Sequence, residues 1–91
     1  MNNKQRKTLE AIFADPVSST ISWFDIESLF KGYGGIIKEE RGSRVWLIWG
    51  KQVAVFHRPH PQPTTDKGAV KSVRRFFTKM RRKAQSFRTG I

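Results

Sequence analysis

Two histidines, His57 and His60, lie three residues apart in a segment that holds three alternating prolines, from Pro59 to Pro63. Histidine exchanges protons near neutral pH, and arginine presents a rigid fork of donors to phosphate oxygens. Attack of a ribose 2′-hydroxyl on its own phosphate needs a base, an acid and positive charge around the phosphate. The histidines, with nearby arginines, therefore suit metal-independent cleavage of RNA. The residue types leave open an alternative, in which both histidines only hydrogen-bond the proline-rich loop in place.

Other kinds of site are not supported. The two histidines lack a cysteine or a convincing carboxylate partner, which argues against zinc. No glycine pattern matches a phosphate-binding loop, since Gly34-Gly35 ends a predicted helix instead of opening one. The acidic residues form no cluster after Glu40, which argues against a two-metal nuclease. The sequence therefore predicts neither a metal nor a cofactor.

The charge points to a polyanion as partner. The chain has 18 Lys and Arg against 7 Asp and Glu, a net charge of +11, and residues 67–91 hold nine positive charges and no negative one. A surface of this kind attracts phosphate backbones by releasing their counterions, so binding should weaken steeply with salt. Nucleic acid is the favoured partner, and an anionic membrane or an acidic protein is the alternative.

Length and composition bound the architecture. A chain of 91 residues has room for one core, and its 37% hydrophobic content is enough to form it. Cysteine is absent, so nothing requires an oxidising compartment. The polar start and the lack of any apolar stretch near 18 residues predict neither a signal peptide nor a membrane span. We expect a single domain in the cytoplasm.

The first half of the chain predicts two helices. Apolar residues at helical spacing favour a helix over Lys4–Ala14. A second helix is predicted to begin at Ser22, with Asp25 completing a capping box, and to end at Gly34-Gly35.

Three strands and a helix should follow. The strands are predicted over Ile36–Glu40, Arg44–Trp49 and Gln52–His57, with a tight turn at Gly50-Lys51. Thr64, Thr65 or Asp66 caps a third helix that runs to Met80. Its apolar stripe is Ala69, Val70, Val73, Phe76, Phe77 and Met80, and its basic face is Lys67, Lys71, Arg74, Arg75 and Lys79. Residues 81–91 lose this periodicity and are predicted to be a basic tail.

The predicted order is α-α-β-β-β-α, an α+β domain with a three-stranded antiparallel sheet, its helices packed on one face and the other face open. We expect the basic helix and the histidine segment to flank the same sheet and to form a cradle for ribose-phosphate chains. Trp23, Trp46 and Trp49 are favoured as core residues, with stacking on RNA bases as the alternative.

Several strings taken together resemble the HicA toxin family. They are Gly34-Gly35 at a helix end, Arg-Gly-Ser-Arg-Val at 41–45, Phe-His-Arg-Pro-His-Pro at 56–61, and Gly68 opening an amphipathic helix. The resemblance runs from about Ser22 to Met80. It divides the chain into a single HicA-like domain over 1–80, with an extra N-terminal helix at 3–14 and a core at 22–80, followed by the tail at 81–91.

The resemblance implies a fold like the double-stranded-RNA-binding domain, cleavage of mRNA as an endoribonuclease, and neutralisation by a HicB-type antitoxin. Many members have a catalytic histidine after the Gly-Ser pair, where this chain has Arg44. We therefore assign proton transfer to His60 or His57, with Arg44 clamping phosphate. The residues assigned to RNA contact are Arg41, Ser43, Arg58, Lys67, Lys71, Arg74 and Arg75. The alternatives are a nucleic-acid-binding module without catalysis, and a protein whose main role is to bind the antitoxin.

Overall fold

A computed structural model describes residues 2–59 and 62–89 of the chain. The elements along the chain are α1 (Asn3–Ile12), α2 (Trp23–Gly32), β1 (Ile36–Glu39), β2 (Arg44–Trp49), β3 (Gln52–His57) and α3 (Lys67–Thr89). This order confirms the predicted α-α-β-β-β-α architecture and the α+β fold like the double-stranded-RNA-binding domain. His60, one of the two candidate histidines, lies outside the described residues.

The three strands form one antiparallel sheet in the order β1-β2-β3. Val45 and Leu47 of β2 are fully buried, whereas Val53 and Val55 of β3 remain 50% and 44% exposed. Successive side chains of a strand point to opposite faces, so one face of the sheet meets the helices and the other is open. The sheet is therefore covered on one side only, as the alternation in β2 predicted.

A single apolar core joins the helices to the inner face of the sheet. It consists of Ile12, Ile21, Trp23, Ile26, Leu29, Phe30, Val45, Leu47, Phe56, Val70, Val73, Phe76, Phe77 and Met80. The aromatic residues of α3 belong to this core, as predicted from their place on its apolar stripe. Of the tryptophans, Trp23 is buried, and Trp49 packs against the core and donates from Nε1 to the Tyr33 carbonyl at 3.0 Å. Trp46 is on the open face and only half-buried.

The start of α2 differs from the predicted capping box. Ser22 is the N-cap residue, but its side chain makes no capping hydrogen bond. Asp25 instead forms an ion pair with Lys4 of α1, with 3.4 Å between Oδ1 and Nζ. The Trp23 amide donates to the Pro63 carbonyl at 2.8 Å. A tertiary contact with the segment before α3 thus satisfies one of the first-turn amides that have no partner within the helix.

The chain leaves α2 through Gly35, a position that has no room for a side chain. The amides of Gly34 and Gly35 donate back to the carbonyls of Lys31 and Phe30 at 2.9 and 3.0 Å. A Cβ atom on Gly35 would overlap the ring of Phe30, which is fully buried. The chain can therefore turn from α2 into β1 only by passing directly against this ring.

We expect Gly35→Ala to lower the free energy of unfolding by about 1–3 kcal/mol, the usual cost of overpacking a core. Gly68→Ala is the matched control, because a Cβ there comes no closer than 3.4 Å to Asp66 Oδ1, and alanine favours the helix. Urea denaturation of both variants checks the prediction. Equal unfolding midpoints would contradict it.

The third helix is longer than the predicted one. It begins after Asp66, whose Oδ1 accepts the Ala69 amide at 2.7 Å, and it continues to Thr89. The prediction of an irregular tail from residue 81 is therefore wrong for residues 81–89. These residues include no proline or glycine, and arginine, lysine, alanine and glutamine all favour helix once one has begun.

Among the described residues, each helix is too short or too polar to span a lipid bilayer.

Candidate active site

An open depression lies where the turn between β1 and β2 meets the end of β3. Its volume is about 790 Å³, and it is lined by Glu39, Glu40, Arg41, Gly42, Ser43, Arg44 and His57. Gly42 has a φ of +75°, a backbone conformation that glycine adopts without steric cost. The turn therefore brings the Arg-Gly-Ser-Arg string and one of the two candidate histidines to a single place.

The register of the sheet sets Arg44 directly opposite His57. The Cβ atoms of residues paired in this way are about 4.5–5.5 Å apart. Their chain neighbours Val45 and Phe56 are buried in the core, so Arg44 and His57 both point from the open face of the sheet. A proton-exchanging ring and a guanidinium therefore stand side by side, exposed to solvent.

The depression holds two carboxylates, Glu39 and Glu40, beside two guanidiniums, Arg41 and Arg44. Arg44 pairs with Glu40 at 3.5 Å, but the two side chains are 53% and 38% exposed. Exposed pairs of this kind contribute about 0–1 kcal/mol, so a phosphate could replace the carboxylate at little cost. Among the described residues Arg41 has no carboxylate within ion-pair distance.

A clamp centred on Arg58 holds the end of β3 in place. The Arg58 guanidinium donates to Glu27 of α2 through Nε at 2.9 Å and through Nη2 at 3.2 Å. It also donates to Glu39 of β1 at 2.7 Å, and the Arg58 amide donates to the Ser43 carbonyl at 2.7 Å. One residue next to His57 thus connects α2, β1 and the turn that carries Arg44.

The clamp keeps Arg58 charged. The hydrogen bond to Glu27, and then that to Glu39, raise the pKa of Arg58 above its ordinary value. While the two carboxylates are ionised, a raised pKa means that this stabilisation is complete below the pKa of an arginine in the unfolded chain and is lost as the pH rises through the pKa of Arg58. The Glu27 carboxylate is buried and also accepts the indole N–H of Trp23. The sequence assigned Arg58 to RNA contact, and in the structure its guanidinium is held by Glu27 and Glu39.

Arg74, also assigned to RNA contact, has a similar structural role. Its guanidinium donates to the carbonyls of Ile12 and Ala14, each at 2.9 Å, and lies 5.9 Å from the centre of the Phe13 ring. These carbonyls lie at the C-terminal end of α1 and just beyond it, and α1 has no basic residue of its own in its last turn. Arg74 therefore fastens α1 to α3.

The remaining cations assigned to RNA do not lie beside the depression. Lys67, Lys71 and Arg75 are exposed on α3, and the apolar stripe of α3 faces the inner side of the sheet. Arg44 and His57 point from the outer side. The cradle of basic helix and histidine segment stays a prediction, because His57 points from the outer side of the sheet and His60 lies outside the described residues.

Sequence reasoning missed three carboxylates at or behind the site. Glu40 could have been found, because it lies four residues before Arg44 across a predicted turn. Glu27 and Glu39 are 31 and 19 residues from Arg58, and nothing local indicates these pairings. The described residues contain no group of three or more His, Cys, Asp or Glu side chains that could hold a metal ion.

Comparison with protein families identifies a relationship. The model of a family described as the HicA toxin of bacterial toxin–antitoxin matches residues 23–81, which include α2, the whole sheet and most of α3. No significant match is found among curated proteins or among solved structures. The matched segment covers well over half of the 91 residues and contains the depression with its clamp. The chain therefore belongs to the HicA toxin family and is the toxin partner of a cognate antitoxin in a bacterial toxin–antitoxin system.

Proposed function

We propose that this toxin is an endoribonuclease that cleaves mRNA in the bacterial cytoplasm at the depression between Arg44 and His57, using protein groups alone. The observation that carries the proposal is the register of β2 and β3, which sets His57 directly opposite Arg44. Histidine side chains suit proton transfer, and arginine side chains suit phosphate binding. Arg41 and Ser43 line the same depression and supply further donors for a phosphate.

The chemistry follows from these groups. The ribose 2′-oxygen attacks the adjacent phosphorus, its proton passes to a general base, and a new 2′-O–P bond forms. The P–O5′ bond breaks, and the leaving 5′-oxygen takes a proton from a general acid. Arg44 and Arg41 stabilise the negative charge on the phosphate oxygens in the transition state. The products are a 2′,3′-cyclic phosphate and a 5′-hydroxyl.

His57 is assigned one of the two proton transfers, and His60 is assigned the other. Arg44 cannot replace either histidine as a base, because its guanidinium stays protonated at neutral pH. In this proposal it binds the phosphate at the position where many family members have a catalytic histidine.

The experiment uses purified protein, a single-stranded RNA and an excess of EDTA. We expect cleavage, products that end in 2′,3′-cyclic phosphate, and no cleavage of the same sequence as DNA. Cleavage that EDTA abolishes and magnesium restores would refute the metal-independent mechanism.

The second candidate is a nucleic-acid-binding protein without catalysis, and Arg44 at the usual histidine position is the observation that favours it. Such a protein would retain RNA binding in the same experiment and leave the RNA intact. Expression without growth arrest would agree with that outcome.

A further inference from the structure

The solvent-facing side of α3 carries a regular row of cations. Lys67, Lys71, Arg75 and Lys79 follow one another at intervals of four residues, Arg82 continues the row, and all five are exposed. A helix rises about 1.5 Å per residue, so neighbours at four-residue intervals are about 6 Å apart and the row is about 22 Å long. No acidic residue occurs from 67 to 91.

This row, which we call the α3 row, is separate from the depression. Val70, Val73 and Phe77 of α3 are buried in the core that the helices share with the sheet, and the row occupies the opposite side of the helix. Arg44 and His57 point from the outer face of the sheet. None of the five residues of the row lines the depression.

The cations of the row are not paired with carboxylates. In the described part of the chain none of its five cations forms an ion pair with a carboxylate. Arg74, which lies beside the row on α3, instead donates hydrogen bonds to the carbonyls of Ile12 and Ala14 at the end of α1. Apart from a hydrogen bond within the helix from Arg75 Nη2 to Ser72 Oγ at 3.1 Å, no hydrogen bond or ion pair is found for these cations in the described part of the chain.

The composition of the row favours a nucleic acid over a protein or a membrane as its ligand. The centre of a protein interface is usually poor in charge and rich in aromatic side chains, whereas the row contains cations alone. A helix that lies on a membrane inserts its apolar face, but the apolar face of α3 is already buried in the core. A nucleic acid strand presents phosphates at regular short intervals and binds rows of Lys and Arg by releasing counterions.

We propose that the α3 row is a second nucleic-acid-binding surface, which holds a part of the RNA distant from the phosphate that is cleaved. This inference extends the proposed function and rests on it, because the proposed function is what identifies the polyanion as RNA. Arg82 lies beyond residue 81, where the family match ends, and α3 continues to Thr89. The row is therefore extended by a segment that this chain adds to the matched domain.

The test compares two variants of equal charge on short and long RNA. The row variant carries Lys71→Gln, Arg75→Gln and Arg82→Gln, and the control carries Arg6→Gln, Lys7→Gln and Lys51→Gln, three exposed cations elsewhere. The probes are a short oligouridylate that fills only the depression and a long one. Circular dichroism confirms that both variants are folded.

We expect the row variant to bind the long oligouridylate at least about tenfold more weakly at low salt. Its slope of log affinity against log salt should fall by about 2, since each phosphate contact on a single strand contributes about 0.7. The short probe should bind and be cleaved as before, and the control variant should change much less on either probe.

Equal losses in the two variants would overturn the proposal, because net charge alone would then explain them. Equal losses on short and long probes would place the row within the cleavage site and would also overturn it. A row variant that loses affinity for polyglutamate but not for oligouridylate would identify a docking surface for an acidic protein instead. A chain that cleaves nothing but shows the expected loss on long RNA would refute the proposed function and leave this inference standing.

Discussion

Replacing His57 with glutamine is expected to lower the rate of RNA cleavage by about 10²–10⁴-fold, the usual contribution of a positioned general acid or base. Glutamine keeps a hydrogen-bonding group of similar reach but cannot exchange a proton. His57 is exposed and lies at the end of β3, so the variant should fold as the wild type does. A single-turnover assay with RNA in EDTA measures the effect.

Gln52→Ala, at the opposite end of the same strand, is the control and should cleave at the wild-type rate. His60→Gln should cause a loss as large as that of His57→Gln, because each histidine is assigned one proton transfer. RNA binding by both histidine variants should remain within a few-fold of the wild type. Full activity of His57→Gln would remove His57 from the mechanism.

Replacing Glu27 with alanine should have the largest effect on stability. The change removes the carboxylate that accepts two hydrogen bonds from Arg58 and one from Trp23. Removing one partner of a buried pair typically costs about 3–5 kcal/mol, since the remaining charge is left without compensation. The Arg58 side chain is 28% exposed, so solvent screens part of this loss, and we expect about 2–4 kcal/mol.

A loss of that size should lower the melting temperature by about 10–20 °C in a domain of this length. Glu39→Ala is the matched control, because Glu39 also pairs with Arg58 but is 65% exposed, and its loss should cost about 0–1 kcal/mol. Calorimetry or thermal circular dichroism separates the two variants. A Glu27→Ala protein as stable as Glu39→Ala would show that the clamp contributes little to the fold.

The sequence predicted the elements well because their signals are local. The alternation in β2 and β3 and the glycines that bound them define the hairpin, and the observed register from Arg44 to His57 agrees with it. The predicted end of α3 at Met80 was wrong because it, too, relied on a local signal. Its apolar periodicity stops at Met80, where the core ends, but helix propensity carries the chain on to Thr89.

The candidate site was predicted only in part. Arg41, Ser43, Arg44 and His57, which the sequence assigned to the site, line one depression, since the turn and the hairpin register bring them together. The roles of Arg58 and Arg74 depend on partners 19 to 62 residues away along the chain. No local pattern distinguishes an arginine that binds phosphate from one that holds a carboxylate or a helix end, so both were assigned to RNA.

The most direct test of the active-site proposal is to map where RNA binds. A short 2′-O-methyl RNA lacks the attacking hydroxyl and stays intact, so it can be titrated into ¹⁵N-labelled protein while amide shifts are followed by NMR. We predict the largest shifts at Arg41, Gly42, Ser43, Arg44 and His57. Shifts confined to α3 or to the far end of the sheet, with these five amides unchanged, would contradict the proposal that this depression is the cleavage site.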